Sequence, residues 1–329
     1  TLFPDTQLFP AWPGLGWLAV AALTASGALA AGLPDWRPRP LLLLVLWGNL
    51  LLLLARLWQT YGPGLTRRIG WRADALSDPL FWIPFGLLTL IALPLAWQAS
   101  GWPLDWIGNP ETDVRIALAA LLLAAGAAHA LWLRPGLAQA HLLILALTCL
   151  VGVVRLQLGL PAALLPLLLA LWSAGLLLLG RARAAVNTLL LDACQPWLTA
   201  LPIVAIVLLL LQPQPDWLVA TLTLLILSGM ALAQGWWQGQ RHWIESAVWL
   251  AILATHTPWL IGSGRLDPGV LVGLAPWYGL QCVLIWLALG QVLARIGRYT
   301  ADGMGTNEAD RRDDLTAVLD RIRPRLLVL

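Results

Sequence analysis

The sequence is dominated by long runs that are apolar on every side of a helix rather than along one stripe. Leu41–Leu54, Leu121–Leu133 and Val204–Leu211 are three such runs. A helix of this kind is buried in a large protein core or in lipid, and 329 residues are too few to bury so many in a soluble core. Charged residues make up only 11% of the chain, against about 25% in soluble domains. The sequence therefore predicts an all-α, polytopic transmembrane helix bundle.

The number of spans follows from the bilayer, whose hydrocarbon core of about 30 Å requires about 20 helical residues. Many of the 21 tryptophans lie near the ends of segments of this length, as expected for aromatic belts at the membrane surfaces. The bundle is expected to occupy residues 1–298 with about ten spans. These lie at roughly 12–32, 41–58, 79–97, 114–133, 138–156, 161–179, 197–212, 217–235, 243–262 and 271–295.

Arginine is distributed unequally between the two ends of these spans, and cytoplasmic loops are enriched in basic residues. With the N-terminus inside, ten arginines that include Arg56 lie on the cytoplasmic side, and five that include Arg155 lie opposite. The asymmetry predicts that both termini are cytoplasmic. It also predicts that residues 59–78 and 236–242 face the cytoplasm and that 98–113 faces the other side.

Composition also indicates the environment and the partners. All 20 basic residues are arginine, and a chain rich in Arg, Ala, Leu and Gly is typical of a GC-rich coding sequence, so we expect a multi-pass protein of a bacterial inner membrane. The net charge of +3 is too small and too dispersed to indicate nucleic acid. Cys149, Cys194 and Cys282 lie in apolar segments without metal-ligand spacing, as packing residues do. No cofactor is predicted.

Two histidines flank the Arg134-Pro135-Gly136 turn that is predicted between the fourth and fifth spans. His129 lies six residues before Pro135, and His141 lies five residues after Gly136. At a rise of 1.5 Å per residue, both are expected about 8 Å from the turn, at one level on adjacent antiparallel helices. Hydrogen bonding between helices is the favoured interpretation, and ligation of a haem or metal between the two rings is the alternative.

The segment around Asp192 is the least regular part of the predicted seventh span. Asn187 and Asp192 precede Pro196, and Pro202 follows within two turns. Because proline bends or breaks a helix, we expect an interfacial helix over about 184–195, then a bend and the span. Asp192 would then lie at the inner-leaflet boundary. A solvated or capping carboxylate is the favoured interpretation, and a functional one is the alternative.

The remaining polar candidates are a charged pair and three amides. Arg241 and Glu245 are four residues apart at the start of the ninth span, a spacing that makes them neighbours on one helical face. An ion pair at the cytoplasmic interface is favoured, and a gate or the start of a proton path is the alternative. Asn49, Gln281 and Gln291 are expected to hydrogen-bond to neighbouring helices.

The composition changes abruptly after Arg298, and residues 299–329 are expected to form a cytoplasmic tail. An amphipathic helix that ends at Pro324 is predicted there by an apolar stripe at helical spacing, Leu315, Val318, Leu319 and Ile322. The segment RLLVL that follows resembles a buried strand in composition. The tail is therefore expected either to begin a soluble α/β domain or to lie as a helix on the membrane surface.

Ionisable residues are scarce at membrane depth, where each would be a functional candidate. The sequence also lacks the HExxH, GxSxG and P-loop motifs. The leading hypothesis is an integral membrane subunit or membrane module that anchors a soluble domain or organises a complex with partner subunits. A permease or channel for a neutral or lipid-like solute comes second. A membrane enzyme that handles a lipid or quinone near Asp192, His129 and His141 comes third, and the missing motifs speak against it.

Overall fold

The structure is a computed structural model that describes residues 13–31, 40–69, 74–100, 113–183, 188–212, 216–238 and 241–262, together with positions 279 and 283. The described residues are helical apart from short turns. They form nine α-helices, with a 3₁₀ turn at Ala162–Leu164 before α6. The helices are α1 (Pro13–Ala31), α2 (Pro40–Ile69), α3 (Asp74–Ala99), α4 (Val114–Leu133), α5 (Leu137–Gln157), α6 (Leu165–Arg183), α7 (Thr188–Leu211), α8 (Trp217–Gln238) and α9 (Arg241–Gly262).

Seven of these helices, α2 to α8, are long and apolar enough to cross a membrane. The prediction of an all-helical chain with long apolar helices is confirmed for the described residues, and α1 to α9 overlap the first nine predicted spans. The tenth predicted span, 271–295, lies outside the described residues except for two helical positions. The tail at 299–329 lies outside them as well. The total of ten spans and the orientation stay predictions.

Large apolar side chains cover the outer faces of these helices. Leu90 is 67% exposed and Leu210 is 79% exposed, although both lie within long apolar helices. Trp97, Trp132 and Trp217 are exposed near helix ends, where an indole ring prefers the membrane surface. A surface of this composition is suited to lipid rather than water, and the chain has the features of a multi-pass membrane protein.

The chain divides into two compact units. Unit 1 contains Thr1–Leu165 with Leu179–Trp197, and unit 2 contains Pro166–Leu178 with Leu198–Leu329. In unit 1 the main core is formed by α2 to α5, and its buried side chains are mostly Leu and Ala. They include Leu52, Phe81, Leu88, Leu95, Leu123, Ala127, Ala146 and Val153. Helices associate in lipid through close van der Waals packing, which small alanine side chains permit.

A half-buried amide joins α2 to α4 within unit 1. Asn49 Nδ2 donates to the carbonyl of Val45 on its own helix at 2.8 Å and to that of Leu122 on α4 at 3.1 Å. Gly126 leaves room for this contact, because an added Cβ would lie 2.7 Å from Asn49 Oδ1. The prediction that Asn49 bonds to another helix is confirmed, while Gln281 and Gln291 lie outside the described residues.

The end of α5 is fixed by a glycine. Gly159 has a φ of +63°, a backbone conformation that residues with a Cβ adopt at a cost. Its N–H donates to the carbonyl of Leu156 at 3.0 Å, and the N–H of Leu160 donates to that of Arg155 at 3.1 Å. This pair of bonds is a Schellman motif, which satisfies carbonyls of the last helical turn. The motif therefore fixes the turn that carries Arg155.

Unit 2 contains an antiparallel pair, α8 and α9. Ser228 Oγ on α8 donates to the carbonyl of Ala247 on α9 at 2.7 Å. At Gly235 an added Cβ would lie 2.6 Å from a side-chain carbon of Ile244. A small residue and one interhelical hydrogen bond therefore set the close approach of these two helices.

The α7 helix differs from its prediction. It is one continuous α-helix from Thr188 to Leu211, so the predicted division into an interfacial helix and a separate span is absent. Pro196 and Pro202 both lie inside it. Membrane helices tolerate proline because neighbouring helices and local adjustments satisfy the freed backbone groups. The apolar part of the helix begins at Asp192, whose side chain is exposed.

The orientation can be tested with single cysteines at exposed positions. Tyr61 on α2 and Val114 at the start of α4 are both 70% exposed. In a chain whose three native cysteines are replaced by alanine, a membrane-impermeant maleimide added to intact cells should label Val114→Cys but not Tyr61→Cys. Inverted membrane vesicles should reverse the pattern, because the Arg asymmetry predicts that Tyr61 lies on the cytoplasmic side. Labelling of Tyr61→Cys alone in intact cells would contradict the orientation.

Candidate functional site

A polar and aromatic cluster lies where α4 turns into α5. Arg134 is the C-cap residue that follows α4, and its N–H donates to the carbonyl of Ala130 at 3.0 Å. Its Nη2 atom is 2.6 Å from Oδ1 of Asp78 on α3, and its Cζ atom lies 4.9 Å from the ring centroid of Phe81. The ion pair ties α3 to the turn, and Asp78 compensates the charge of Arg134.

A second arginine of this cluster comes from α2. The Cζ atom of Arg56 lies 4.1 Å from the ring centroid of Trp132 on α4, well within the range of a cation–π interaction. The His129 ring is 6.1 Å from that of Trp132, at a tilt of 31°. Within the described structure, His129 Nε2 is buried and has no hydrogen-bond partner. We call Arg56, Asp78, His129, Trp132 and Arg134 the hairpin-end cluster.

His141 has a different environment, at the start of α5. Its Nδ1 atom accepts a hydrogen bond from the indole Nε1 of Trp197 on α7 at 3.1 Å. Hydrogen bonding between helices, the favoured interpretation, is therefore found for His141. The two histidines contact different aromatic rings, Trp197 in one case and Trp132 in the other. Among the described residues, no group of three or more His, Cys, Asp or Glu side chains could hold a metal ion.

The other predicted candidates are not brought into this cluster by any described contact. Asp192 is exposed in the second turn of α7, five residues before Trp197. Asn187 lies outside the described residues. Arg241 begins α9, but its side chain is not described, and Glu245 one turn later is half-buried. The proposed ion pair between Arg241 and Glu245 stays a prediction.

Sequence reasoning missed polar side chains at the opposite end of the α4–α5 pair. Arg155 was counted among the arginines on the side opposite the cytoplasm, yet it lies in the last turn of α5 with only 2% of its surface exposed. Gln98 near the end of α3 is fully buried, and Gln157 Nε2 donates to the carbonyl of Asp113 at 3.3 Å. The sequence feature that could have indicated a buried Arg155 was Gly152. This glycine lies three residues before Arg155 and therefore on a similar face of the helix.

Comparison with known proteins does not assign the chain to a family: no protein-family model, curated protein or solved structure matches it. The function is therefore inferred from the geometry of the described residues. The relevant observations are the Leu/Ala core of unit 1, the hairpin-end cluster and the bond between His141 and Trp197.

The hydrogen bond between His141 and Trp197 predicts a measurable coupling. His141→Phe and Trp197→Phe each remove one partner, so a double-mutant cycle should give a coupling energy of about 0.5–1 kcal/mol. Unfolding by dodecyl sulfate in mixed micelles provides the free energies. A control cycle pairs His141→Phe with Trp97→Phe, at the far end of α3, and should be additive. Additivity in both cycles would show that the hydrogen bond between His141 and Trp197 contributes nothing to the free energy of unfolding.

Proposed function

We propose that this chain is a membrane-embedded structural subunit, or the membrane module of a larger protein, that anchors a soluble domain or organises a complex. The observation that carries the proposal is the interior of unit 1. Its core positions hold Leu, Ala and Val side chains at or near zero exposure, and the amide of Asn49 bonds to helix carbonyls. Such an interior supports a packing role, because solute or proton transfer requires polar groups along a path through the membrane.

The distribution of charge supports the same role. Two ion pairs of unit 1, between Arg134 and Asp78 and between Arg115 and Asp113, lie at helix ends. Among the described residues, Arg155 is the one charged side chain that is buried, and it lies in the last turn of α5. Charges at the ends of apolar helices anchor them at the two surfaces of the membrane.

The two alternative functions receive less support. The permease hypothesis relied on a broken seventh span, and α7 is one continuous helix. The enzyme hypothesis relied on a site shared by Asp192, His129 and His141. The described contacts of the two histidines are aromatic rings on different helices, and Asp192 is exposed.

The proposal is tested by sizing the chain in its native membrane. Membranes solubilised in a mild detergent should release the tagged chain in a complex of defined composition. This complex should exceed the mass of the purified 35.7 kDa chain in the same micelle by at least one further subunit or domain. Deleting the gene should also lower the abundance of the co-migrating subunits, since subunits without their anchor are degraded.

A transport assay tests the permease alternative. Purified chain in proteoliposomes should pass small neutral solutes no faster than empty liposomes do. Protein-dependent flux, together with a native mass equal to that of the purified chain, would contradict the structural role and favour the permease. The buried substitution Ala127→Leu is a suitable check, because it disturbs the fully buried core and should abolish any flux that depends on a folded protein.

A further inference from the structure

The strongest unassigned feature outside the core is the stacked pair Arg56 and Trp132. The guanidinium lies over the indole ring at 4.1 Å, and both side chains are exposed, Trp132 by 61%. Stacking occupies one face of the planar guanidinium and leaves the N–H donors around its edge available. The pair therefore presents an oriented set of donors at the surface of the protein.

Arg56 and Arg134 differ in whether a carboxylate compensates their positive charge. Arg134 is paired with Asp78 at 2.6 Å. No ion pair with a carboxylate is found for Arg56 among the described residues. The hairpin-end cluster thus retains one uncompensated cation, and planar guanidinium groups match phosphate oxygens well.

The height of this cation in the membrane follows from α4. The helix has 20 residues, which correspond to about 30 Å at 1.5 Å per residue, the thickness of the hydrocarbon core. Trp132 is the second-last residue of that helix. Arg56, which stacks on Trp132, therefore lies at the edge of the hydrocarbon core, where lipid phosphates begin.

Small side chains lie next to Trp132 along the exposed face of α4. Ala128 and Ala125 precede Trp132 by four and seven residues, so the three share one helical face, and all three are exposed. Leu121, one turn further, is also exposed on this face. The surface is therefore indented between the large side chains of Leu121 and Trp132, and a lipid chain fits along an apolar indentation of this kind.

We propose that Arg56, oriented by Trp132, binds the phosphate of an anionic glycerophospholipid, with an acyl chain lying along Ala125 and Ala128. The site combines a cation without a carboxylate partner, an aromatic ring at headgroup level and a small-residue surface beneath it. Basic residues at the ends of membrane helices attract anionic lipid headgroups. The binding site does not depend on the structural role proposed above, and either can hold without the other.

Native mass spectrometry of the purified full chain tests the site. The protein is titrated with phosphatidylglycerol or with phosphatidylcholine, and the bound lipids are counted. Wild-type protein should prefer phosphatidylglycerol, and Arg56→Gln should weaken its binding about five-fold. Trp132→Leu, which keeps an apolar side chain but removes the stacking surface, should weaken it about two-fold to three-fold. Arg115→Gln, an exposed arginine at the other end of α4, should leave the affinity within two-fold of wild type.

The outcomes distinguish a lipid from a free anion. Inorganic phosphate at millimolar concentration should not displace phosphatidylglycerol, because it lacks the acyl chain that fits along α4. Displacement by phosphate, equal binding of the two lipids, or unchanged binding in Arg56→Gln would each overturn the proposal. Arg56 and Trp132 are exposed, so their variants should unfold within a few degrees of wild type. If Arg56→Gln nevertheless fails to fold, Arg56→Met removes the charge with an unbranched apolar side chain and should weaken phosphatidylglycerol binding to the same extent, and Trp132→Leu tests the stacking surface independently.

Discussion

Replacing Gly152 with alanine should lower the free energy of unfolding by about 1–3 kcal/mol. Gly152 lies on α5 against the end of α3, and an added Cβ would lie 2.7 Å from Ala99 Cβ and 2.8 Å from its carbonyl oxygen. The carbonyl belongs to the backbone, so it cannot rotate away as a flexible side chain would. The two helices must therefore separate, and van der Waals contacts along their interface are lost.

Gly86→Ala on α3 is the matched control, because an added Cβ at that position meets nothing within 4 Å. Alanine should there be neutral or stabilising by up to about 1 kcal/mol, since glycine is a poor helix former. Unfolding by dodecyl sulfate in mixed micelles measures both variants. The two substitutions should thus have opposite signs. A Gly152→Ala variant as stable as Gly86→Ala would contradict the close approach of α3 and α5.

The positions of the helices could be predicted because the length of an apolar run reflects the thickness of the bilayer. The turn Arg134-Pro135-Gly136 is an example, since α4 ends at Leu133 and α5 begins at Leu137. The lengths of some helices could not be predicted in this way. α2 continues to Ile69, and its apolar segment reaches Gly64, both past the predicted end of the span at 58, because a helical backbone can continue beyond the residues whose hydropathy defines a span.

The contacts of the candidate site could not be predicted, because hydropathy gives the level of a residue but not the direction of its side chain. His129 and His141 were placed at one level, yet their described contacts are with Trp132 and Trp197. Trp197 itself follows a segment in which a break was predicted, and the helix is continuous there. Arg155 was counted among the arginines opposite the cytoplasm, near the end of the predicted span 138–156, and its burial in the last turn of α5 could not be predicted from that position.

Arg155→Ala should cause the largest loss of stability among these substitutions, about 3–5 kcal/mol. The side chain is only 2% exposed, and Gln98 near the end of α3 is fully buried. Alanine would leave a cavity in place of a long buried side chain, and the interaction that Arg155 makes would be lost as well. The Schellman turn that follows keeps the backbone in place, so the region has little freedom to collapse into the cavity.

Two further variants separate packing from charge in the same dodecyl sulfate titration. Arg155→Met fills most of the volume without the guanidinium and should recover about half of the loss, since volume-conserving changes are tolerated best. Arg115→Ala is the control at the same end of the helices. Its side chain is 43% exposed and 3.9 Å from Asp113, so its loss should be about 0–1 kcal/mol. If Arg155→Ala and Arg155→Met lower the free energy of unfolding equally, the whole effect comes from polar contacts. A loss in Arg155→Ala no larger than that in Arg115→Ala would contradict the buried position of Arg155.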